Sequence, residues 1–253
     1  MLVGIIHPGS GVGDSLFGYV ATRVRAADLN VPFGFVGKEY FKGSGWMNLD
    51  FGQETNLKYH IEQPSGKLIV DDEHKLFEIN TPYFNPEYFF IEDGTVIDGP
   101  SAQDIRYFEH RLDEVREWLK VEPLDMSDDL CVINFRGGEF SLYPNLFLTR
   151  DYWNEAIGGM KMTNPNMSFE VHTDDKPLAQ QFFPDFQVIH DVGLNWRSIR
   201  YARNIIIPNS AFPIFPALLN ENVKEVIAPR FWAGRNIGEW QRPQNFYKRF
   251  KHI

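Results

Sequence analysis

Cys131-Val132-Ile133-Asn134-Phe135-Arg136-Gly137-Gly138-Glu139-Phe140 is the stretch on which the fold of this 253-residue chain turns. Its first half is an apolar run, the pattern of a strand buried on both faces of a parallel sheet. Its second half holds one cation, two glycines and an acid. A strand that hands an arginine to a glycine-rich turn sets a permanent positive charge at the carboxyl end of a sheet, where open α/β folds bind their ligands. The guanidinium can fork onto a diphosphate through charge-assisted hydrogen bonds, each worth roughly 1.5–3 kcal/mol. The same residues also fit an arginine paired with Glu139 beside an ordinary turn.

Composition bounds what surrounds this stretch. The length suits one large α/β domain or two small ones. Hydrophobic residues at 43% and charged residues at 23% are ordinary for a globular chain, and 22 phenylalanines supply ample stacking surface. A net charge of −9 speaks against a broad nucleic-acid surface and leaves a phosphorylated ligand only a locally positive site. The single cysteine, Cys131, excludes an internal disulfide and reads as core in its apolar strand. No basic leader with a long apolar segment and no window of transmembrane length occurs, so a cytoplasmic location is expected.

From the amino terminus, Leu2 to Ile6 reads as a strand, followed by the loop His7-Pro8-Gly9-Ser10-Gly11-Val12-Gly13-Asp14 and a helix. Leu16, Val20, Val24 and Ala27 form one face of that helix, with Asp14 as its expected N-cap. Strand, glycine loop and helix present backbone N–H groups to an anion, which makes Gly11 and Gly13 candidate binding positions; a plain tight turn is the alternative. Two phosphate motifs fail here. The G-x-G-x-x-G fingerprint meets Asp14 or Leu16 where its third glycine belongs, and the chain has no G-K-[ST]. Val31 to Val36 supplies a second strand. Residues 37 to 97 read as short strands or loops, with Asp71-Asp72-Glu73 a solvated turn rather than a metal site. Ser101 to Val121 is expected to be the clearest helix, with Ile105, Phe108, Leu112, Val115 and Leu119 on one face and Ser101 with Asp104 as a capping box. The linker Glu122 to Asp129 marks the expected boundary between domains 1–122 and 123–253.

The second half alternates regularly. Strand 130–135, a helix near 150–160, strand 168–172, a helix from Pro177 to Phe183, strand 187–189, helix 194–203, strand 204–207, a helix to Leu219 and strand 225–228 together imply a parallel sheet. Arg242, Lys248, Arg249, Lys251 and His252, beside Phe246, Tyr247 and Phe250, read as a solvated end, or else as a peripheral contact to a charged or lipid-linked acceptor.

Six separated segments, in order, resemble the α1,2-fucosyltransferases and their wider relatives. Val12 to Val20 is similar to the family's L-G-N-Q-M-F-Q-Y-A, and Asp98 to Phe108 to its G-Y-F-Q-S-x-K-Y-F. Asn134 to Phe140 resembles H-x-R-R-G-D-Y, and His172-Thr173-Asp174-Asp175 resembles F-S-D-D. Asn209-Ser210-Ala211-Phe212 resembles N-S-S-F, and Val226 to Trp232 resembles V-I-A-P-K-x-W. The chain departs from the pattern at Asn134 for His, Gly137 for the second Arg, Glu139 for Asp, Asp14-Ser15 for Asn-Gln, and Asn195 where the family has Asp.

The resemblance implies a GT-B-like α/β fold, two Rossmann-like domains with a cleft between them, and transfer of fucose from GDP-fucose to a glycan hydroxyl with inversion. A non-catalytic nucleotide-sugar or glycan-binding protein of the same fold is the alternative. No cofactor or catalytic metal is implied, and the D-x-D spacing of the metal-dependent transferase fold is missing from the chain. The departing diphosphate would then fall to Arg136 and to N–H groups near Asn209, Ser210 and Phe212. Asp174 or Asp175 would read guanine, or else cap the following helix. A proton acceptor would be Glu139, Asp14 or His7, with Glu139 favoured. The expected partners are a nucleotide sugar and a glycan acceptor.

Overall fold

The structure, a computed structural model, describes residues 1–62, 67–81, 83–231 and 247–253. Trp232, Arg242 and Phe246 of the sequence reading lie outside the described residues. The chain is α/β and divides into two compact units, Met1–Lys120 and Val121–Ile253, each built on a parallel sheet.

In the first unit β1 (Leu2–Ile5) leads into α1 (Val12–Leu29), which Asn30 closes in the left-handed conformation at φ 53°. The N-cap is Gly11, and Asp14 sits in the first turn instead of capping it, because the helix begins three residues before the sequence placed it. β2 (Phe33–Val36) pairs with β1 in parallel register, Leu2 against Phe33. A small antiparallel pair, β3 (Tyr59–Ile61) and β4 (Leu68–Val70), lies in the irregular region. At its end Asp71 accepts from the N–H groups of Lys58 and Glu73 and from His74 Nδ1, so the acidic run is a turn held by one carboxylate. β5 (Lys75–Glu78) and β6 (Thr95–Asp98) complete a four-stranded sheet in the order β2-β1-β6-β5.

The long helix expected from Ser101 to Val121 is not formed. Two short 3₁₀ turns, Ile105–Tyr107 and Glu109–Arg111, precede α2 (Leu112–Trp118). Asp104, fully buried, accepts from the Arg106 N–H at 3.0 Å and grips its guanidinium, so it caps a tight turn rather than joining Ser101 in a box. Tyr107 and Phe108 are both fully buried, which a single helical stripe of these residues does not allow. Phe108 leaves the helical region at φ −143°.

The second unit carries β7 (Leu130–Phe135), α3 (Arg150–Thr163), β8 (Ser168–Thr173), α4 (Lys176–Phe182), β9 (Gln187–Ile189), α5 (Val192–Tyr201), β10 (Asn204–Ile206), α6 (Ile214–Leu219), β11 (Glu225–Ala228) and β12 (Lys251–His252). The six strands run parallel in the order β12-β11-β10-β7-β8-β9. Counted within the unit this is the doubly wound order 3-2-1-4-5-6, read from the β9 edge, with its reversal between β7 and β10. The carboxy-terminal residues are not a solvated end. Tyr247 and Phe250 are buried, Arg249 donates to the carbonyls of Leu218 and Asn220 at 2.8 Å, and β12 extends the sheet beside β11.

Alternate residues of β7 face opposite layers, because side chains along a strand alternate. Cys131, Ile133 and Phe135 enter the core under α3 and α4. Phe135 is its hub, with ring centroids 5.0 Å from Phe182, 5.4 Å from Trp153, 5.5 Å from Phe183 and 6.2 Å from Phe147. Replacing Phe135 by Ala is expected to cost about 3–5 kcal/mol in urea unfolding. A loss under about 1 kcal/mol would show that this cluster does not anchor the carboxyl end of β7.

Candidate functional site

The reversal of strand order leaves an opening outside the carboxyl ends of β7 and β10, where neither neighbouring connection crosses. Arg136 and Gly137 follow β7 there, and Pro208, Asn209 and Ser210 follow β10. The two loops are tied together, since Asn209 Nδ2 donates to the Leu146 carbonyl at 2.9 Å. Tyr152 of α3 donates to the Ile207 carbonyl at 2.5 Å and fixes the end of β10.

Arg136 lies a third exposed at the mouth of this opening. Its Nη1 donates to Asp174 Oδ2 and its Nη2 to Glu139 Oε1 at 3.2 Å, while the guanidinium sits 5.2 Å from the Phe140 ring centre. The Gly137 N–H donates to the other oxygen of Asp174 at 2.9 Å. One carboxylate thus occupies an anion position made by a guanidinium and a backbone amide. A guanidinium has five N–H donors, and two are engaged here; Nε is buried with no partner among the described residues. The pairing with Glu139, mostly exposed, adds little stability on its own.

The two glycines are what let the Arg136 loop lie against the end of β8. A Cβ on Gly137 would stand 2.7 Å from the Asp175 Cβ, and one on Gly138, at φ 30°, would stand 2.4 Å from Asp174 Oδ2. An arginine at position 137, as in the fucosyltransferase pattern, does not fit this approach of the two loops. Asp175 is the N-cap of α4, its Oδ1 accepting from the Leu178 N–H at 3.1 Å. Its own N–H is held by Thr173 Oγ1 at 2.9 Å.

Asn134 does not reach the opening. It points under α5, where its Nδ2 donates to Asn195 Oδ1 at 3.2 Å, both side chains buried. Two departures from the fucosyltransferase pattern are therefore partners, and a neutral hydrogen bond satisfies both in a place where lone charges would be costly. His172, fully buried, pairs with Glu170 at 2.7 Å on the same face of β8.

Asn209 and Ser210 are buried and do not cap α6, whose N-cap is Pro213. Ser210 Oγ accepts weakly from the Phe212 N–H at 3.4 Å, and the Phe212 ring stands edge-on to Trp196. Arg136, Glu139, Asp174, Asp175, Asn209, Ser210 and Phe212 all belong to the second unit; Gly11, the N-cap of α1, and Gly13, buried in its first turn, belong to the first.

The first unit brings a second pair of titratable groups together at the ends of two neighbouring strands. β1 lies between β2 and β6, and outside their carboxyl ends His7 and Asp98 meet, His7 Nε2 donating to Asp98 Oδ1 at 2.8 Å. This hydrogen bond and the Asp98 charge raise the His7 pKa above its usual value, against burial, which lowers it. Asp98 was not singled out in the sequence because its strand, four residues between irregular segments, gave no clear period. A strand ending in an acid was the signal present.

No family model matches the chain, and no curated protein sequence does. Among solved structures, the heptosyltransferase WaaC of E. coli with ADP aligns over 100% of this chain and 93% of its own, at 12% identity and a TM-score of 0.48. The α-1,6-fucosyltransferase NodZ soaked with GDP-fucose aligns over 89% and 93%, at 12% identity and a TM-score of 0.48. NodZ co-crystallised with GDP aligns over the same shares at 14% identity and a TM-score of 0.45.

Replacing Gly137 by Ala is expected to destabilise the protein by about 1–3 kcal/mol, because its Cβ meets backbone-anchored carbon rather than a flexible tip. An unchanged melting midpoint in Gly137→Ala would show that the two loops are not held this close.

Proposed function

We propose that this chain is a glycosyltransferase that moves fucose from GDP-fucose to a glycan hydroxyl, with inversion and without a catalytic metal. The observation that carries the reading is the half-used guanidinium of Arg136 at the strand-order reversal of a doubly wound sheet. Its remaining N–H groups are directed donors for a diphosphate, and a preorganised cation acts most strongly where charge develops as the glycosidic bond breaks. Asp174 and Glu139 orient Arg136. Asp174 or Asp175 accepts from the N1–H and amino group of guanine through lone pairs not spent on Arg136, Gly137 or Leu178. The amides around Asn209, Ser210 and Phe212 flank the diphosphate, Gly11 and Gly13 at the start of α1 offer backbone N–H groups to an anion, and the amino-terminal unit serves the acceptor.

A second reading is favoured by one fact, the prior engagement of Arg136 by two carboxylates. A protein of the same fold that binds the nucleotide sugar without transferring it would keep such a pairing unbroken.

A thermal-shift screen separates these readings. GDP and GDP-fucose at about 100 times their dissociation constant should add roughly 2.7 kcal/mol of stability, and UDP and ADP far less. Equal shifts, or a preference for UDP, would sink the guanine assignment. Stabilisation by GDP-fucose with no fucose released would favour the binding protein. Transfer should persist in excess EDTA; loss in EDTA with recovery in manganese would contradict the metal-free mechanism.

A further inference from the structure

A cavity of about 590 Å³ opens on the first unit. One side of it is the last two turns of α1, where Arg25 and Asp28 stand. At 1.5 Å per residue, Arg25 is roughly 20 Å along the helix from Val12 and far from the glycine loop. The other side is the segment that carries Phe84, Phe89, Arg106 and His110. A cavity of this size suits a small organic molecule.

Arg25 sets the chemistry. It is only 8% exposed, and its Nε and Nη2 both donate to one neutral acceptor, the Ile91 carbonyl. Among the described residues it has no ion-pair partner, and its Nη1 makes no hydrogen bond. The charges around it are already matched. Arg106 is bound to buried Asp104, and Asp28 accepts from Arg111 Nε and His110 Nε2. Glu109, the remaining acid of the lining, is exposed, and its charge acts on Arg106. A guanidinium taken out of water without a counter-charge carries its desolvation cost uncompensated, so an anion at Nη1 would be stabilising.

The walls are aromatic. The Arg106 guanidinium lies 4.5 Å from the Phe84 ring centre, and the Phe84 and Phe89 rings stand 5.8 Å apart. Phe89 is 39% exposed and meets the His110 ring edge-on at 6.0 Å. A flat apolar group can extend this array, since rings pack at centroid separations of about 4.5–7 Å.

We propose that this cavity binds a small aromatic carboxylate, with its carboxylate on Arg25 Nη1 and its ring against Phe84 and Phe89. A carboxylate suits the site better than a phosphate, because Asp28 and Glu109 also face the cavity and repel a dianion more than a monoanion. Every residue involved belongs to the first unit, so the assignment stands apart from the glycosyl-transfer reading.

The test is calorimetric titration of the whole chain with benzoate as the probe, and with benzamide and phenyl phosphate for comparison. Benzoate should bind saturably at one site, and benzamide, which keeps the shape without the charge, about 10–100-fold more weakly. Arg25→Gln should weaken benzoate by a similar factor and leave benzamide nearly unchanged, a difference that a merely structural arginine would not produce. Should Arg25→Gln fail to fold, Phe89→Ala decides, because that ring is partly exposed. It should keep the parent's melting temperature and weaken benzoate about 2–10-fold. Absence of saturable benzoate binding, or equal affinity for benzoate and benzamide, overturns the site. Tighter binding of phenyl phosphate than of benzoate overturns the carboxylate assignment. Unchanged benzoate affinity in folded Phe89→Ala puts the ligand elsewhere and overturns the proposal as well.

Discussion

The ion pair between Arg136 and Asp174 is the constraint on which the second unit's site depends. It joins the residue after β7 to the loop after β8, and the Gly137 amide completes the grip on the same carboxylate. Both partners are only partly exposed, so the pair is screened less than a surface bridge, and each charge needs the other. The geometry is possible because positions 137 and 138 carry no Cβ. Beneath it, Phe135 is locked among four aromatic rings, which leaves the arginine's backbone little freedom. A cation placed by a rigid strand and aimed by a carboxylate is preorganised, and preorganisation is what lets a charge act at the moment of reaction without first reorienting.

Each unit gathers charged or titratable side chains at the carboxyl ends of neighbouring parallel strands. In the second unit the connections that flank β7 and β10 diverge and leave their carboxyl ends open. The second unit places the guanidinium of Arg136 there, and the first sets the imidazole of His7 beside Asp98 where β1 and β6 end. Each arrangement is completed by a residue distant in the sequence, Asp174 for Arg136 and Asp98 for His7. Both follow from the residue that stands one or two places past a buried apolar run.

Much of the second unit was legible in the sequence for that same reason. Strands such as Cys131 to Phe135 and Val226 to Ala228 are buried on both faces and read as apolar runs, and polar or glycine-rich residues punctuate them. The position of Arg136 could be read as well, together with the alternative that it pairs with Glu139, which the structure shows. What could not be read was tertiary in origin. The periodic segment Ile105 to Leu119 follows a helical spacing, yet buried Asp104 captures Arg106 and Phe108 turns inward, so the helix begins only at Leu112. β5 and β12 are short and carry charged residues, and only their pairing with β6 and β11 makes them strands. The contact of Asn134 with Asn195 spans 61 residues, and no local pattern announces it.

The central claim, that Arg136 serves the departing diphosphate, is tested most directly by single-turnover transfer from GDP-fucose in Arg136→Ala and Arg136→Lys. Interactions that strengthen in the transition state raise turnover rather than ground-state binding. Arg136→Ala should therefore lower the chemical rate by about 10²–10³, while unfolding shows the fold intact. Arg136→Lys should restore only part of the rate, since an ammonium keeps the charge but not the planar fork. A folded Arg136→Ala protein that binds GDP-fucose and transfers at the parent's rate would contradict the account.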